Sequence, residues 1–86
     1  MTSQVIDYYN KRFGDNINSA FIHLIREIGE IALAMEKQNT NHAKLKITEA
    51  AALLKYMAAK YKIDLESNMD LIYSQKMDTI SRLGHK

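Results

Sequence analysis

Cysteine, proline and tryptophan are absent from the 86 residues, and glycine occurs only three times. Without cysteine the chain has neither disulfides nor thiolate metal ligands. Without proline nothing interrupts long helices, and the frequent alanine, leucine, isoleucine, lysine and methionine favour helix throughout. No segment alternates convincingly between polar and apolar residues as a strand would. The sequence therefore predicts an all-α protein.

A large net charge of either sign is also absent, since 12 basic and 10 acidic residues leave a net charge of +2. The basic residues are spread along the chain and form no stripe, so nucleic acid is not an expected partner and a DNA-binding role is poorly supported. No segment approaches the roughly 18 uninterrupted apolar residues of a membrane span, and the first residues lack a signal-like run. We therefore expect a soluble, cytoplasmic protein that does not contact membranes.

The length suits one domain, residues 1–86, built from four helices with two long ones at the centre. The hydrophobic spacing predicts helices over about 3–13, 19–37, 43–62 and 68–83. Gly14 and Gly84 are plausible helix stops. The N-cap candidates are Asp15, Asn16 and Asn18 for the second helix, and Asp64 and Ser67 for the last. Ser67 with Asp70 resembles a capping box.

The two central helices are apolar on more than one side. The second helix has an apolar arc formed by Phe21, Leu24, Ile25, Ile28, Ile31, Ala32 and Met35, and Ile22 and Leu33 lie opposite. The third holds Leu45, Ile47, Leu53, Leu54, Met57 and Tyr61 among small alanines that would permit close helix approach. Because one short chain covers only part of such a surface, we expect a homodimer or a dimer of dimers that completes a helical bundle.

Three glutamates stand among these apolar residues. Glu27 and Glu30 are three residues apart, so they lie about 60° apart on one helix face, with His23 beside them. Glu49 is similarly surrounded in the next helix, and antiparallel packing would bring the three together. Such a cluster holds protons unless a cation neutralises it, and hard oxygen ligands suit Mg²⁺ or Mn²⁺.

Simpler explanations exist for each residue. Glu-x-x-Glu is common on helices, where most examples are solvated or pair with a lysine one turn away. Lys46 is three residues before Glu49 and could be its structural ion-pair partner. His23 taken alone is more typical of a core edge or a surface than of a ligand.

The stretches "LIREIGEIALAMEKQ" and "KITEAAALLKYMAAKYKIDLE", joined by a polar loop, resemble the MazG-like all-α nucleoside triphosphate pyrophosphatases over about residues 20–67. The resemblance implies a MazG-like helical bundle in which four acids bind Mg²⁺. It also implies hydrolysis of a nucleoside triphosphate to a monophosphate and pyrophosphate. Glu27 and Glu30 match the first acid pair, with the family glycine at Gly29. Glu49 matches the family aspartate, but Lys46 stands where the family has a glutamate.

By this resemblance Glu27, Glu30 and Glu49 are the catalytic and metal-binding residues. The segment "SQKMDTISR" at 74–82 resembles a phosphate-contacting basic segment, so Lys76 and Arg82, with Lys46, are the candidate substrate-phosphate contacts. The asparagine that follows "KMD" in the family is replaced in this sequence by Thr79 or Ile80. These departures leave an alternative open, a non-catalytic MazG-like oligomer that binds a nucleotide or a protein partner. No motif indicates which nucleotide would be bound.

Overall fold

A computed structural model describes residues 3–84. It contains four α-helices, α1 (Gln4–Phe13), α2 (Ile17–Glu36), α3 (Thr40–Lys60) and α4 (Leu65–Leu83), and no strand among the residues described. The prediction of an all-α protein is confirmed, with 20 residues in α2 and 21 in α3. The expectation of shorter flanking helices holds for α1 but is wrong for α4, which has 19 residues.

Three of the helices begin two or three residues earlier than the hydrophobic spacing predicts. Asn16, Asn39 and Asp64 cap α2, α3 and α4, each accepting a hydrogen bond from the backbone N–H three residues later. The Ser67 capping box is therefore wrong, because the Ser67 N–H and hydroxyl both donate to Asp64 instead. Gly14 ends α1 as predicted, with φ of 57°.

Helices α2 and α3 form an antiparallel hairpin, and α1 packs across it, mainly on α3. The core at this junction contains Tyr9 of α1, Ala20 and Leu24 of α2, and Ala50, Leu53 and Tyr56 of α3. Tyr56 and Leu53 are its largest fully buried side chains. The Tyr56 hydroxyl donates a hydrogen bond to the Gly14 carbonyl, and Lys60 of α3 pairs with Asp15 at 2.8 Å. Both contacts fix the α1–α2 turn against α3.

Only part of the predicted apolar arc of α2 is buried. Leu24 is buried and Ile31 is partly buried, whereas Phe21, Ile25 and Ile28 are about half exposed. Helix α3 contacts the side of α2 that carries Glu27, so the contact surface is rotated from the centre of the arc toward the acids. A glutamate is consequently the one buried charged side chain among the residues described.

Helix α4 extends away from the other three helices and makes almost no contact with them. All of its described residues except Leu65 are exposed. The radius of gyration is 16.2 Å, compared with about 12 Å for a compact domain of this length. No helix within residues 3–84 is long and apolar enough to cross a membrane.

Candidate functional site

Three carboxylates from two helices surround one ammonium group. Lys46 Nζ lies 3.0 Å from Glu49 Oε1, 3.4 Å from Glu30 Oε1 and 3.5 Å from Glu27 Oε1. We call these four residues the acid cluster. The convergence of the three glutamates is as the sequence predicts, and Lys46 lies between them.

Helix periodicity and the hairpin explain this arrangement. Glu27 and Glu30 project from one face of α2, and Lys46 and Glu49 are three residues apart on α3. Because the two helices run antiparallel and pack closely, these faces meet. Gly29, the matched family glycine, is not required by any close approach within the chain, since an added Cβ would meet nothing within 4 Å.

Glu27 is the most deeply placed member of the acid cluster, with 5% of its side chain exposed. Burial raises the pKa of its carboxyl from 4.5 to about 7, and the adjacent carboxyl groups of Glu49 and Glu30 add to the effect, while the Lys46 charge opposes it. At neutral pH this carboxyl is therefore close to half protonated. A buried acid that titrates near neutrality is typical of functional sites, although structural clusters also produce it.

The pKa shifts of the other two perturbed members, Glu49 and Lys46, both favour the charged form. The neighbouring carboxyl of Glu27 and then the ion pair with Lys46 lower the pKa of Glu49, and the contact with Glu49 raises the pKa of Lys46 above its ordinary range. A proton held by this pair is therefore favoured on Glu27, the more deeply buried of the two carboxyls. The cluster still contains more negative than positive charge, because one ammonium faces three carboxyl groups.

The acid cluster forms one wall of an open cavity of about 400 Å³. The remaining lining residues are Tyr8, Tyr9 and Arg12 of α1 and His23 of α2. Arg12 approaches the Phe13 ring, with 5.0 Å between its guanidinium carbon and the ring centroid. Sequence reasoning missed this contribution of α1, and the only signal was the aromatic and basic run "YYNKRF".

His23 lies at the cavity edge, as its place beside the acids predicts. Its ring centroid is 5.8 Å from that of Phe13. Burial lowers the pKa of His23, and the nearby positive charges of Arg12 and Arg26 lower it further. The neutral imidazole is thus favoured, which suits a partly buried aromatic contact.

Of the three residues predicted to contact substrate phosphate, the structure places one at the cavity and two away from it. Lys46 lies in the cluster, where its ammonium already faces three carboxyl groups. Lys76 and Arg82 lie on α4, and neither lines the cavity of its own chain. Lys76 instead approaches the Tyr73 ring, 5.3 Å from its centroid.

With the side chains as they stand, no three His, Asp or Glu residues between 3 and 84 are arranged to hold a metal ion. The acidic oxygens of the cluster face the ammonium instead. Comparison with protein-family models, with curated proteins and with solved structures found no match to this chain.

Proposed function

We propose that the chain is a MazG-like, Mg²⁺-dependent nucleoside triphosphate pyrophosphohydrolase whose activity is held low by Lys46. The observation that carries the proposal is the convergence of Glu27, Glu30 and Glu49 on a single cationic position at the wall of an open cavity. The resemblance of residues 20–67 supports the same assignment.

The donor set fits a divalent cation in its chemistry. All three groups are carboxylates, which are the ligands that Mg²⁺ prefers. The Lys46 ammonium stands where such a cation would bind, and two of the three negative charges lack a compensating positive charge when Glu27 is ionised. Glu49 Oε1 is shielded from solvent and, although it is 3.0 Å from Lys46 Nζ, it receives no hydrogen bond of proper geometry. Glu27, Glu30 and Glu49 would hold the ion once Lys46 withdraws on its flexible stem.

A bound cation would neutralise triphosphate charge and activate a water. The residues of the chain supply the remaining functions. Arg12 at the cavity wall would meet phosphate oxygens, and the half-exposed Tyr8 ring offers a surface for a base. Water attacks the α-phosphorus, the bond from that phosphorus to the bridging oxygen breaks, and pyrophosphate leaves. The proton of the water would leave to solvent through the open cavity. The pKa of about 7 at Glu27 belongs to the ion-free cluster, and a bound cation would lower it.

The test compares pyrophosphate release from a panel of standard and modified nucleoside triphosphates, with and without Mg²⁺, for wild type, Lys46→Glu and Lys44→Glu. Lys46→Glu restores the fourth acid and removes the competing ammonium. We expect it to bind Mg²⁺ more tightly and to raise turnover at least about tenfold, which corresponds to roughly 1.4 kcal/mol of transition-state stabilisation. Lys44→Glu makes the same charge change on the same helix at an exposed position outside the cluster, and should match wild type.

A second function, a non-catalytic oligomer that binds a nucleotide, is favoured by the contact of Lys46 with all three carboxyl groups. It predicts that millimolar Mg²⁺ leaves the melting temperature of wild type unchanged. It also predicts that wild type and Lys46→Glu release no pyrophosphate although both are folded by circular dichroism. That pair of results would contradict the hydrolase proposal.

A further inference from the structure

A second open cavity adjoins the one at the acid cluster. Its volume is about 320 Å³, and it is lined by Phe13 of α1 and by Ser19, Ile22, His23 and Arg26 of α2. His23 lines both cavities, so the two are neighbours at this side chain. The volume is within the range of roughly 300–1,000 Å³ that is typical of small-molecule sites. We call this second space the arginine cavity.

The charges around the arginine cavity are positive. Arg26 is exposed on its wall, and the guanidinium of Arg12 lies 5.0 Å from the centroid of the Phe13 ring that lines it. Both arginines lie close enough to His23 for their charges to lower its pKa, after the larger effect of burial. Within residues 3–84 neither guanidinium is at ion-pair distance from a carboxylate. The cavity therefore offers two cations without counter-ions.

The polar groups that α2 contributes to this cavity follow one line along the helix. Ser19, His23 and Arg26 are four and three residues apart, so they share a helix face and span about 10 Å along the axis. The first turn of α2 contains no acidic residue, so the positive end of the helix faces no opposing charge there. A guanidinium binds phosphate oxygens in pairs. A line of donors of this length suits two linked phosphate groups better than one.

We propose that the arginine cavity binds the diphosphate end of a nucleoside triphosphate, with Arg26 and Arg12 as its contacts. This inference rests on the proposed function, in which water attacks the α-phosphorus at the acid cluster. The electron pair of the broken bond goes to the bridging oxygen, so the pyrophosphate gains negative charge and is held more strongly by the two guanidinium groups. Lys76 and Arg82 line neither cavity, and Lys46 faces three carboxyl groups, so the arginines take the role that the sequence assigns to those residues.

The experiment is calorimetric titration of the full chain with inorganic pyrophosphate at low ionic strength. Divalent cations are left out, so that a metal at the acid cluster does not contribute. We expect wild type to bind pyrophosphate at least about tenfold more tightly than inorganic phosphate. Arg26→Ala should weaken pyrophosphate binding at least about tenfold, and Arg26→Lys should weaken it less, because lysine keeps the charge but not the paired donors. Lys37→Ala is the control, since it removes one positive charge from the exposed C-terminal end of α2, outside both cavities.

A second set of titrations distinguishes a nucleotide from free pyrophosphate as the ligand. Arg26→Ala should weaken the binding of nucleoside triphosphates at least about tenfold and leave that of the corresponding monophosphates unchanged. Because Arg26 is exposed, the variant should keep the circular dichroism spectrum of wild type. Unchanged triphosphate binding in Arg26→Ala would overturn the proposal. Equal losses of pyrophosphate binding in Arg26→Ala and Lys37→Ala would also overturn it, because they would indicate a general attraction of anions.

These titrations do not require turnover, so the two assignments can fail separately. Arg26-dependent binding of pyrophosphate and triphosphates, without hydrolysis by wild type or Lys46→Glu, would leave the diphosphate site and overturn the hydrolase assignment. Hydrolysis with the same KM and the same inhibition by pyrophosphate in wild type and Arg26→Ala would leave the hydrolase and overturn the diphosphate site.

Discussion

Replacing Glu27 by glutamine should remove a pH dependence of stability that the wild-type protein shows between about pH 5 and 8. The folded protein holds the Glu27 proton to higher pH than the unfolded chain does, because burial raises its pKa from 4.5 to about 7. Its contribution to stability is therefore complete below pH 4.5 and is lost as the pH rises through about 7.

The size of the effect follows from the same pKa. At about 1.4 kcal/mol for each tenfold change in proton affinity, the largest loss of unfolding free energy is roughly 3 kcal/mol. Glutamine is neutral and nearly the same shape as the protonated carboxyl, so the variant should equal wild type near pH 5 and exceed it near pH 8.

The assay is urea unfolding followed by circular dichroism at half-unit pH steps. Two other groups require attention in this range. The lowered pKa of His23 makes stability rise as the pH approaches 6.5, which opposes Glu27, and the lowered pKa of Glu49 acts only below 4.5. The difference between wild type and Glu27→Gln isolates Glu27, and Glu36→Gln is the control on the exposed side of α2. Parallel curves for wild type and Glu27→Gln, within about 0.5 kcal/mol, would refute the reasoning.

Two further predictions concern the α1–α2 turn, and both are measured by urea unfolding. Tyr56→Phe should lower the unfolding free energy by about 1–2 kcal/mol, because it leaves the Gly14 carbonyl without its donor. Tyr61→Phe, at an exposed site on α3, is the control and should change the unfolding free energy little. Equal effects of the two substitutions would contradict the role of this hydrogen bond. Gly14→Ala should destabilise the protein by about 1–3 kcal/mol, because φ at this residue is 57°. Gly29→Ala should stabilise it by about 0.5–1 kcal/mol, because the added Cβ enters open space within a helix. Effects of the same sign for the two substitutions would show that these backbone arguments fail.

The sequence by itself determines the helices. Helix formation depends mainly on local backbone energetics. Three local properties of this sequence favour helices, namely the absence of proline, the helix-favouring composition and the spacing of apolar residues. The errors occur at the helix starts, where several adjacent side chains could cap. Asp64 and Ser67 both precede the apolar run of α4, and the observed cap is Asp64 because its carboxylate accepts from both the N–H and the hydroxyl of Ser67.

The sequence also indicates that Glu27, Glu30 and Glu49 could meet, since their spacing fixes the helix face of each. It does not decide where Lys46 lies, because a long side chain can reach several partners or solvent. The tertiary structure decides it: the close packing of α2 against α3 brings all three carboxyl groups within 3.5 Å of one ammonium.

Burial is likewise a property of the packed helices. Leu53 and Leu54 are identical neighbours in sequence, yet Leu53 is fully buried and Leu54 is about half exposed. A helix that is apolar on several sides offers more than one surface for packing, and its amphipathic pattern cannot rank them. The orientation of α1 and α3 around α2 makes that choice, and it buries Glu27 while leaving Ile28 beside it exposed.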